Sequence, residues 1–368
     1  LGAAISIEIE GESVINLWGG YQDANRRRAW EEDTLCNTFS VSKAMTSACI
    51  LKLIEERKID LNEKVSFYWP EYGCNGKEDT KIIDLLTHRA GMFAFEDNFT
   101  INNEDWTNWN LFVTKLAKQK PFYTPGSAQS YHALTFGFLI GEVVRRVDGR
   151  SLGTYFKEKI ADAYNIDFIF GLDNEDIKRT SDIVMSKIRS PILAKVFFSM
   201  PSWLLPKRIR PVVSLLKESD FQKAFFNTQT EKNSVNSNAW KKAEIPAANG
   251  FASAKGISRF YSVLSDLNDN SFIKRETLEQ AIKVHSSGPD TVLLNLPIKF
   301  GLGFMIENPY SPIGQNPDLF GHSGVGGSVG FADKKRGIGF GFIKNYMHPP
   351  GKLFKSANDL TKLFYSIL

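Results

Sequence analysis

Apolar and polar residues alternate at both ends of the chain and follow helical spacing between them. Ala4-Ile5-Ser6-Ile7-Glu8-Ile9 alternates, Glu10-Gly11-Glu12-Ser13 has turn chemistry, and Val14-Ile15-Asn16-Leu17-Trp18 returns. That pattern predicts a β-hairpin, closed by Gly19-Gly20. The period then changes. Ala44, Met45, Ala48, Ile50, Leu51, Leu53 and Ile54 recur at helical intervals and predict a helix over about 40–57. Ile82, Ile83, Leu85 and Leu86 predict a short helix that stops at Ala90-Gly91. Leu134, Phe136, Phe138, Leu139, Ile140, Val143 and Val144 predict one over about 132–147 that ends at Asp148-Gly149, and another covers about 255–267. Near the C-terminus 300–306, 327–333 and 338–343 read as strands, with 334–337 as the turn between the last two, and a final helix spans 352–367.

Strands at both ends around a helical middle predict a single α/β domain of α+β type over 1–368. One antiparallel sheet draws on about 1–57 and 291–368 and is flanked by helices. About 58–290 forms a mostly helical lobe with long loops. No internal repeat or low-complexity tract appears.

Composition changes this picture little. Among 368 residues, 42% are hydrophobic and 23% charged, as in a soluble globular chain. A net charge of +4 without a basic tail gives no case for nucleic-acid binding. Three cysteines (Cys36, Cys49, Cys74) and no CxxC make no disulfide scaffold. Asn98-Phe99-Thr100 is a glycosylation sequon only if the chain is secreted. No signal peptide and no run of about 18 apolar residues is visible, and the chain begins inside a predicted strand. Compartment and oligomeric state stay open.

The stretch 191–217 stands apart. It is rich in apolar residues and carries Lys195, Lys207, Arg208, Arg210 and Lys217, with no acid until Glu218. Pro201, Pro206 and Pro211 break any long helix. A lid packed on the domain is the preferred reading, and contact with a membrane surface the other.

The candidate chemistry begins with Ser40-Val41-Ser42-Lys43. Ser40 falls at the start of the first long helix, and Lys43 lies one turn on along the same face. A serine hydroxyl is a poor nucleophile until a neighbour takes its proton, which an amine can do, and helix-start N–H groups favour the oxyanion that follows. Ser214/Lys217 and Ser271/Lys274 repeat the spacing without opening an apolar helix. Ser40 could equally be a capping serine. A second candidate is Tyr131, presented by the turn that starts at Pro125-Gly126. Its hydroxyl gains meaning as a base if it meets Lys43 and Ser40. The third is Gly321-His322-Ser323-Gly324-Val325-Gly326-Gly327-Ser328, a glycine run through which a backbone can approach a ligand, or a turn before an edge strand. Val325 takes the last glycine position of a nucleophile elbow, no phosphate loop occurs, and the five histidines lack metal-ligand spacing. Neither a metal nor a cofactor is expected.

In their order these segments resemble the serine β-lactamase and penicillin-binding-protein superfamily, above all class C β-lactamase-like hydrolases and related carboxylesterases. Phe39-Ser40-Val41-Ser42-Lys43 resembles the first motif, 83–91 the helix-to-loop segment after it, and 125–132 the second motif. The stretch 245–250 resembles a later segment before another helix, and 321–324 the third motif. The resemblance implies a β-lactamase/transpeptidase-like fold and an acyl-enzyme at Ser40. It makes Lys43 and Tyr131 a general-base pair, with Tyr131 also protonating the leaving group. It puts the oxyanion hole at the Ser40 and Val325 amides and substrate contacts at His132, His322, Ser323 and Gly324. Asn345 and Trp18 also match family-like segments, without an assigned role.

Two positions depart from the lactamase pattern. Ala133 stands where an asparagine contacts the substrate amide, and His322 where a lysine favours a carboxylate. The expectation is therefore a serine hydrolase acting on a small-molecule carboxylic ester or related acyl compound. A β-lactamase or D-amino-acid peptidase is one alternative, and a catalytically silent scaffold the other.

Overall fold

The structure is a computed structural model that describes the chain except residues 97–98, 187–199, 206, 208–209, 228–233, 267, 269, 308–312, 314–315, 317 and 350–351. The sequon residue Asn98 and the first part of the 191–217 stretch lie outside the described residues.

The chain ends meet in one sheet, as the alternating patterns at both termini require. β1 (Ala3–Ile9) and β2 (Glu12–Gly19) form the predicted hairpin. Its two turn residues, Glu10 and Gly11, both take positive φ, at 51° and 85°, the twist that two-residue hairpins favour. Five more strands come from the C-terminal part: β3 (Lys299–Phe300), β4 (Met305–Ile306), β5 (Leu319–Ser323), β6 (Val329–Asp333) and β7 (Ile338–Lys344). The order is β2-β1-β7-β6-β5-β4-β3, antiparallel throughout.

β7 shows how the sheet takes helices on both faces. Ile338, Phe340 and Phe342 point to one side, where Phe331 stacks on Phe340 at 4.5 Å and α4 (Lys355–Ile367) contributes Ala357 and Phe364 to the same apolar cluster. Gly339 and Gly341 point to the other side, under α3 (Ala254–Leu264). A Cβ on Gly339 would lie 2.2 Å from Ser258 O. The two-residue period thus puts aromatics on one face and leaves the other bare enough for a helix backbone to lie on it.

α1 (Ser42–Glu55) and α2 (Thr135–Asp148) pack together in the larger apolar cluster. α1 is buried from Ser42 through Leu51, so it is a core helix with little exposed face. Burial of each large apolar side chain contributes about 1.5–3 kcal/mol, which ties this helix firmly in place. α2 ends as predicted, on Gly149 in the left-handed region with φ 90°.

Three elements differ from the sequence expectation. The single strand over 300–306 is two short strands joined by a tight turn, with Gly303 at φ 78°. The Gly303 N–H donates to Leu86 O at 2.9 Å, and a Cβ on Gly301 would lie 2.2 Å from Ala281 O. Two close approaches thus fold the strand on itself. The helix expected from His132 starts at Thr135, because 130–132 is held extended by contacts described below. Leu319–Ser323, where the pattern predicts no strand, is β5, and the glycine run at 324–328 joins it to β6 inside the sheet.

In the described part of the 191–217 stretch, Arg210–Lys217 is helical. Leu205 and Val213 are buried, while Trp203 is 72% exposed. Among the described residues no helix is long and apolar enough to cross a membrane.

Candidate active site

A small three-stranded sheet delivers Ser40. Cys36–Asn37 pairs with Phe251–Ala252, and that pairs in turn with Phe168–Ile169. The Thr38 N–H and hydroxyl then both donate to Gly250 O at 2.9 Å. Phe39 follows with φ 51°, a left-handed conformation that a bulky residue adopts only when its surroundings impose it. This kink turns the strand into the one-turn helix Phe39–Val41 and then into α1. Ser40 stands at that corner, 8% exposed.

Lys43 is fully buried beneath it. Its Nζ lies 2.8 Å from Ala133 O, 3.0 Å from Ala247 O and 3.4 Å from Ser40 Oγ. Burial pushes its pKa well below that of an ordinary lysine. A neutral amine has two N–H groups and one lone pair. With its N–H groups on the two carbonyls, such an amine would turn its lone pair to the Ser40 hydroxyl. Nζ also lies 4.8 Å from the centre of the Tyr131 ring, whose face would attract an ammonium once the proton arrives.

Ala247 belongs to the 245–250 segment, where the sequence offered no role. Asn249 holds that turn together. Its Oδ1 accepts the Ile245 N–H at 2.7 Å, and its Nδ2 donates to Trp240 O and Ala243 O, both at 2.8 Å.

Tyr131 comes from the other side, 5% exposed. Burial pushes its phenol pKa up, and a hydrogen bond with Ser40 opposes the rise. The phenol is therefore a proton holder more than a standing phenolate. Its loop is pinned by His88, itself at φ 58°. The Ser130 N–H donates to His88 O at 2.9 Å, and the His132 N–H donates to His88 Nδ1 at 3.1 Å. The His88 and Tyr131 rings lie 4.9 Å apart. Burial lowers the pKa of His88 and keeps it neutral. His88 lies in the family-like segment 83–91, where one histidine in a loop carries no local signal of function.

The third segment closes the site. His322, on β5, is buried, and its Nδ1 donates to Ser323 O at 2.8 Å. Its Nε2 has no partner among the described residues. Burial, then the nearby Lys43, lowers its pKa to about 3, so His322 is neutral at physiological pH. The loop after β5 lies directly on the Ser40 corner. A Cβ on Gly324 would sit 2.2 Å from Thr38 O, and one on Gly326 would sit 2.8 Å from the Phe39 ring. Those contacts lay the segment around Val325 against the Thr38–Phe39 corner that precedes Ser40. Among the described residues neither the Ser40 nor the Val325 amide donates to a backbone carbonyl, which leaves both for an incoming oxygen.

Two predicted contacts change character. His132, a substrate contact by resemblance, is fully buried here; its Nε2 accepts the Met92 N–H at 3.2 Å, and its Nδ1 is 2.6 Å from Ser130 O. Both nitrogens are spent on the scaffold. Ser323 turns its hydroxyl toward Met305 Sδ at 3.9 Å. Asn345 is a structural tie, accepting the Gly2 N–H and donating to Tyr21 O and Gln22 O. Trp18 lies on the edge strand β2, 43% exposed.

Known proteins share this arrangement of fold. The family model described as Beta-lactamase matches residues 1–361. The Mycobacterium tuberculosis protein "Esterase/beta-lactamase LipL" is 29% identical over 95% of this chain and 78% of its own length. A solved family VIII carboxylesterase is 33% identical, covering 97% of this chain and 92% of its own, with a TM-score of 0.81. A penicillin-binding-protein homologue from Caulobacter crescentus is 31% identical over 95% of this chain and 87% of its own, with a TM-score of 0.79. The agreement runs through almost the whole chain, and this protein belongs to the Beta-lactamase family as a hydrolase of that fold.

Proposed function

We propose that the protein is a serine hydrolase that forms an acyl-enzyme at Ser40 and acts on an uncharged carboxylic ester or a related acyl compound. One observation carries this reading: the buried Lys43 amine lies 3.4 Å from Ser40 Oγ, held there by Ala133 O at 2.8 Å and Ala247 O at 3.0 Å.

The chemistry follows from the site. Ser40 Oγ attacks the ester carbonyl while its proton passes to Lys43, and the carbonyl oxygen becomes an oxyanion held by the Ser40 and Val325 amides. The carbon–oxygen bond to the leaving alcohol then breaks, and Tyr131 gives that oxygen its proton. The proton on Lys43 restores Tyr131, so acylation conserves protons. Water repeats the sequence in reverse roles and frees Ser40. Burial lowers the pKa of Lys43 and raises that of Tyr131, which supports Lys43 as the acceptor and Tyr131 as the donor within the expected base pair.

Neutral His322 and the missing side-chain amide at Ala133 support an ester over a substrate whose carboxylate and amide both need holding. The apolar side chains near Tyr131, among them Phe225 with its ring 6.2 Å away and Phe300 at 6.1 Å, suit an uncharged acyl group. The name of one relative, a family VIII carboxylesterase, supports the ester, while the other, an esterase/β-lactamase, carries both names. The test compares kcat/KM for short and medium p-nitrophenyl esters with that for nitrocefin. Ester preference is expected. Efficient nitrocefin turnover with poor ester turnover would move the protein to the β-lactamase or D-amino-acid peptidase reading.

A further inference from the structure

The loop bearing Tyr131 is held on its second edge by a carboxylate 159 residues away in sequence. Asp290 is fully buried and has no ion-pair partner among the described residues. Its Oδ1 accepts the Tyr131 N–H at 3.1 Å, the Val292 N–H at 3.0 Å and the Leu293 N–H at 3.1 Å. Its Oδ2 faces Gln129 Nε2 at 3.4 Å. Burial raises its pKa to about 6, so the fold holds this carboxylate against its own solvation preference.

Two further contacts run beside it. The Thr291 N–H donates to Gln129 O at 3.0 Å, and Thr291 Oγ1 donates to Ser130 Oγ at 3.1 Å. The amides along the loop therefore alternate. Those of Ser130 and His132 go to His88, and that of Tyr131 goes to Asp290. A segment whose successive amides are bonded on opposite sides is restrained against rotation of its middle residue. Without the second edge, the Tyr131 peptide is free to turn. A rotation of about 10° at the Cα carries a phenol oxygen roughly 1 Å, and a displacement of that size costs on the order of 10²-fold in rate.

We propose that Asp290 is the positioning residue for Tyr131: by accepting its amide, Asp290 fixes where the phenol stands against Ser40 and Lys43. The inference rests on the reading of Tyr131 as the proton donor, and the experiment separates the two. On a p-nitrophenyl ester, kcat and KM are measured for the wild type, Asp290→Ala, Asp290→Asn, Tyr131→Phe and the Asp290→Ala/Tyr131→Phe double variant, each verified as folded by thermal melting. Asp290→Ala is expected to lower kcat by roughly 10²-fold at nearly constant KM. Asp290→Asn keeps an oxygen acceptor and is expected to recover most of that loss. Tyr131→Phe, costly alone, is expected to add little to Asp290→Ala. The inference is overturned if Tyr131→Phe costs its full factor in the Asp290→Ala background, or if Asp290→Asn is as impaired as Asp290→Ala. If Tyr131→Phe leaves wild-type rates intact, the role of Tyr131 itself fails, and this inference with it. Should Asp290→Ala not fold, Asp290→Glu displaces the carboxylate by one methylene and takes its place in the cycle with the same outcomes.

Discussion

Ser40 and Lys43 stand three residues apart on one continuous buried segment, whereas Tyr131 hangs between partners drawn from far along the chain. The first arm is a strand, a left-handed corner at Phe39 and a core helix, and its internal geometry is set by helix pitch. The second is a stretch without regular structure, oriented by His88 on one edge and Asp290 on the other. The difference teaches where each arm is vulnerable. The helix arm is expected to fail chiefly when its own side chains change. The loop arm keeps its side chain and fails when a distant residue lets go.

The largest effect that would break the comparison is on the helix arm. Ser40→Ala is expected to lower turnover by roughly 10⁶-fold, with the melting temperature close to wild type, because the hydroxyl sits at a partly open corner and not in the packed core. Ester hydrolysis near the wild-type rate from folded Ser40→Ala would remove Ser40 from the mechanism.

Next comes the bond between the arms. Lys43→Ala and Tyr131→Phe are each expected to cost roughly 10²–10⁴-fold in kcat/KM, the range for positioned acid–base groups. Together they are expected to cost much less than the product of the two, since they handle one proton. Fully multiplicative losses in a double-mutant cycle would show two independent roles.

The pH profile sharpens the same point. The reaction needs Lys43 unprotonated, and burial holds its pKa well below the ordinary 10.5. Activity is therefore expected to fall as pH drops through the lowered value and to be level above it. A rate that climbs tenfold per pH unit up to about pH 10 would mean that Lys43 titrates as an ordinary exposed lysine.

The smallest catalytic effect is expected far from both arms. Gly339→Ala puts a Cβ 2.2 Å from Ser258 O, between β7 and α3. It is expected to cost about 1–3 kcal/mol of stability, seen as a lowered melting temperature, with kcat per folded molecule unchanged. A matching drop in kcat would couple the sheet–helix contact to the site.

How far each arm was legible follows from the same contrast. The Ser-x-x-Lys spacing and the apolar period of α1 are local, and both were visible in the chain. The hairpin, the two-ended sheet and the strands β6 and β7 were likewise written in alternation, whereas β5 runs into the glycine run and shows no such pattern. What supports Lys43 was not, because Ala133 and Ala247 act through backbone carbonyls and any residue type supplies one. His88 and Asp290 act on amides across long sequence separations, where no periodicity reaches. For His132 the resemblance implies a substrate contact, and only the fold shows both ring nitrogens engaged by backbone groups. The break in 300–306 had a visible sign in Gly301 and Gly303, but the period of two was the stronger pattern.

The central claim is that the carbonyl carbon of the substrate is transferred to Ser40 Oγ. Reaction of the protein with a fluorophosphonate, digestion and mass spectrometry of the peptide that contains Ser40 test it most directly. The account predicts one adduct on Ser40, absent from Ser40→Ala and formed much more slowly by Lys43→Ala. An adduct on another residue, or an unmodified Ser40 in a protein that still hydrolyses esters, would contradict it.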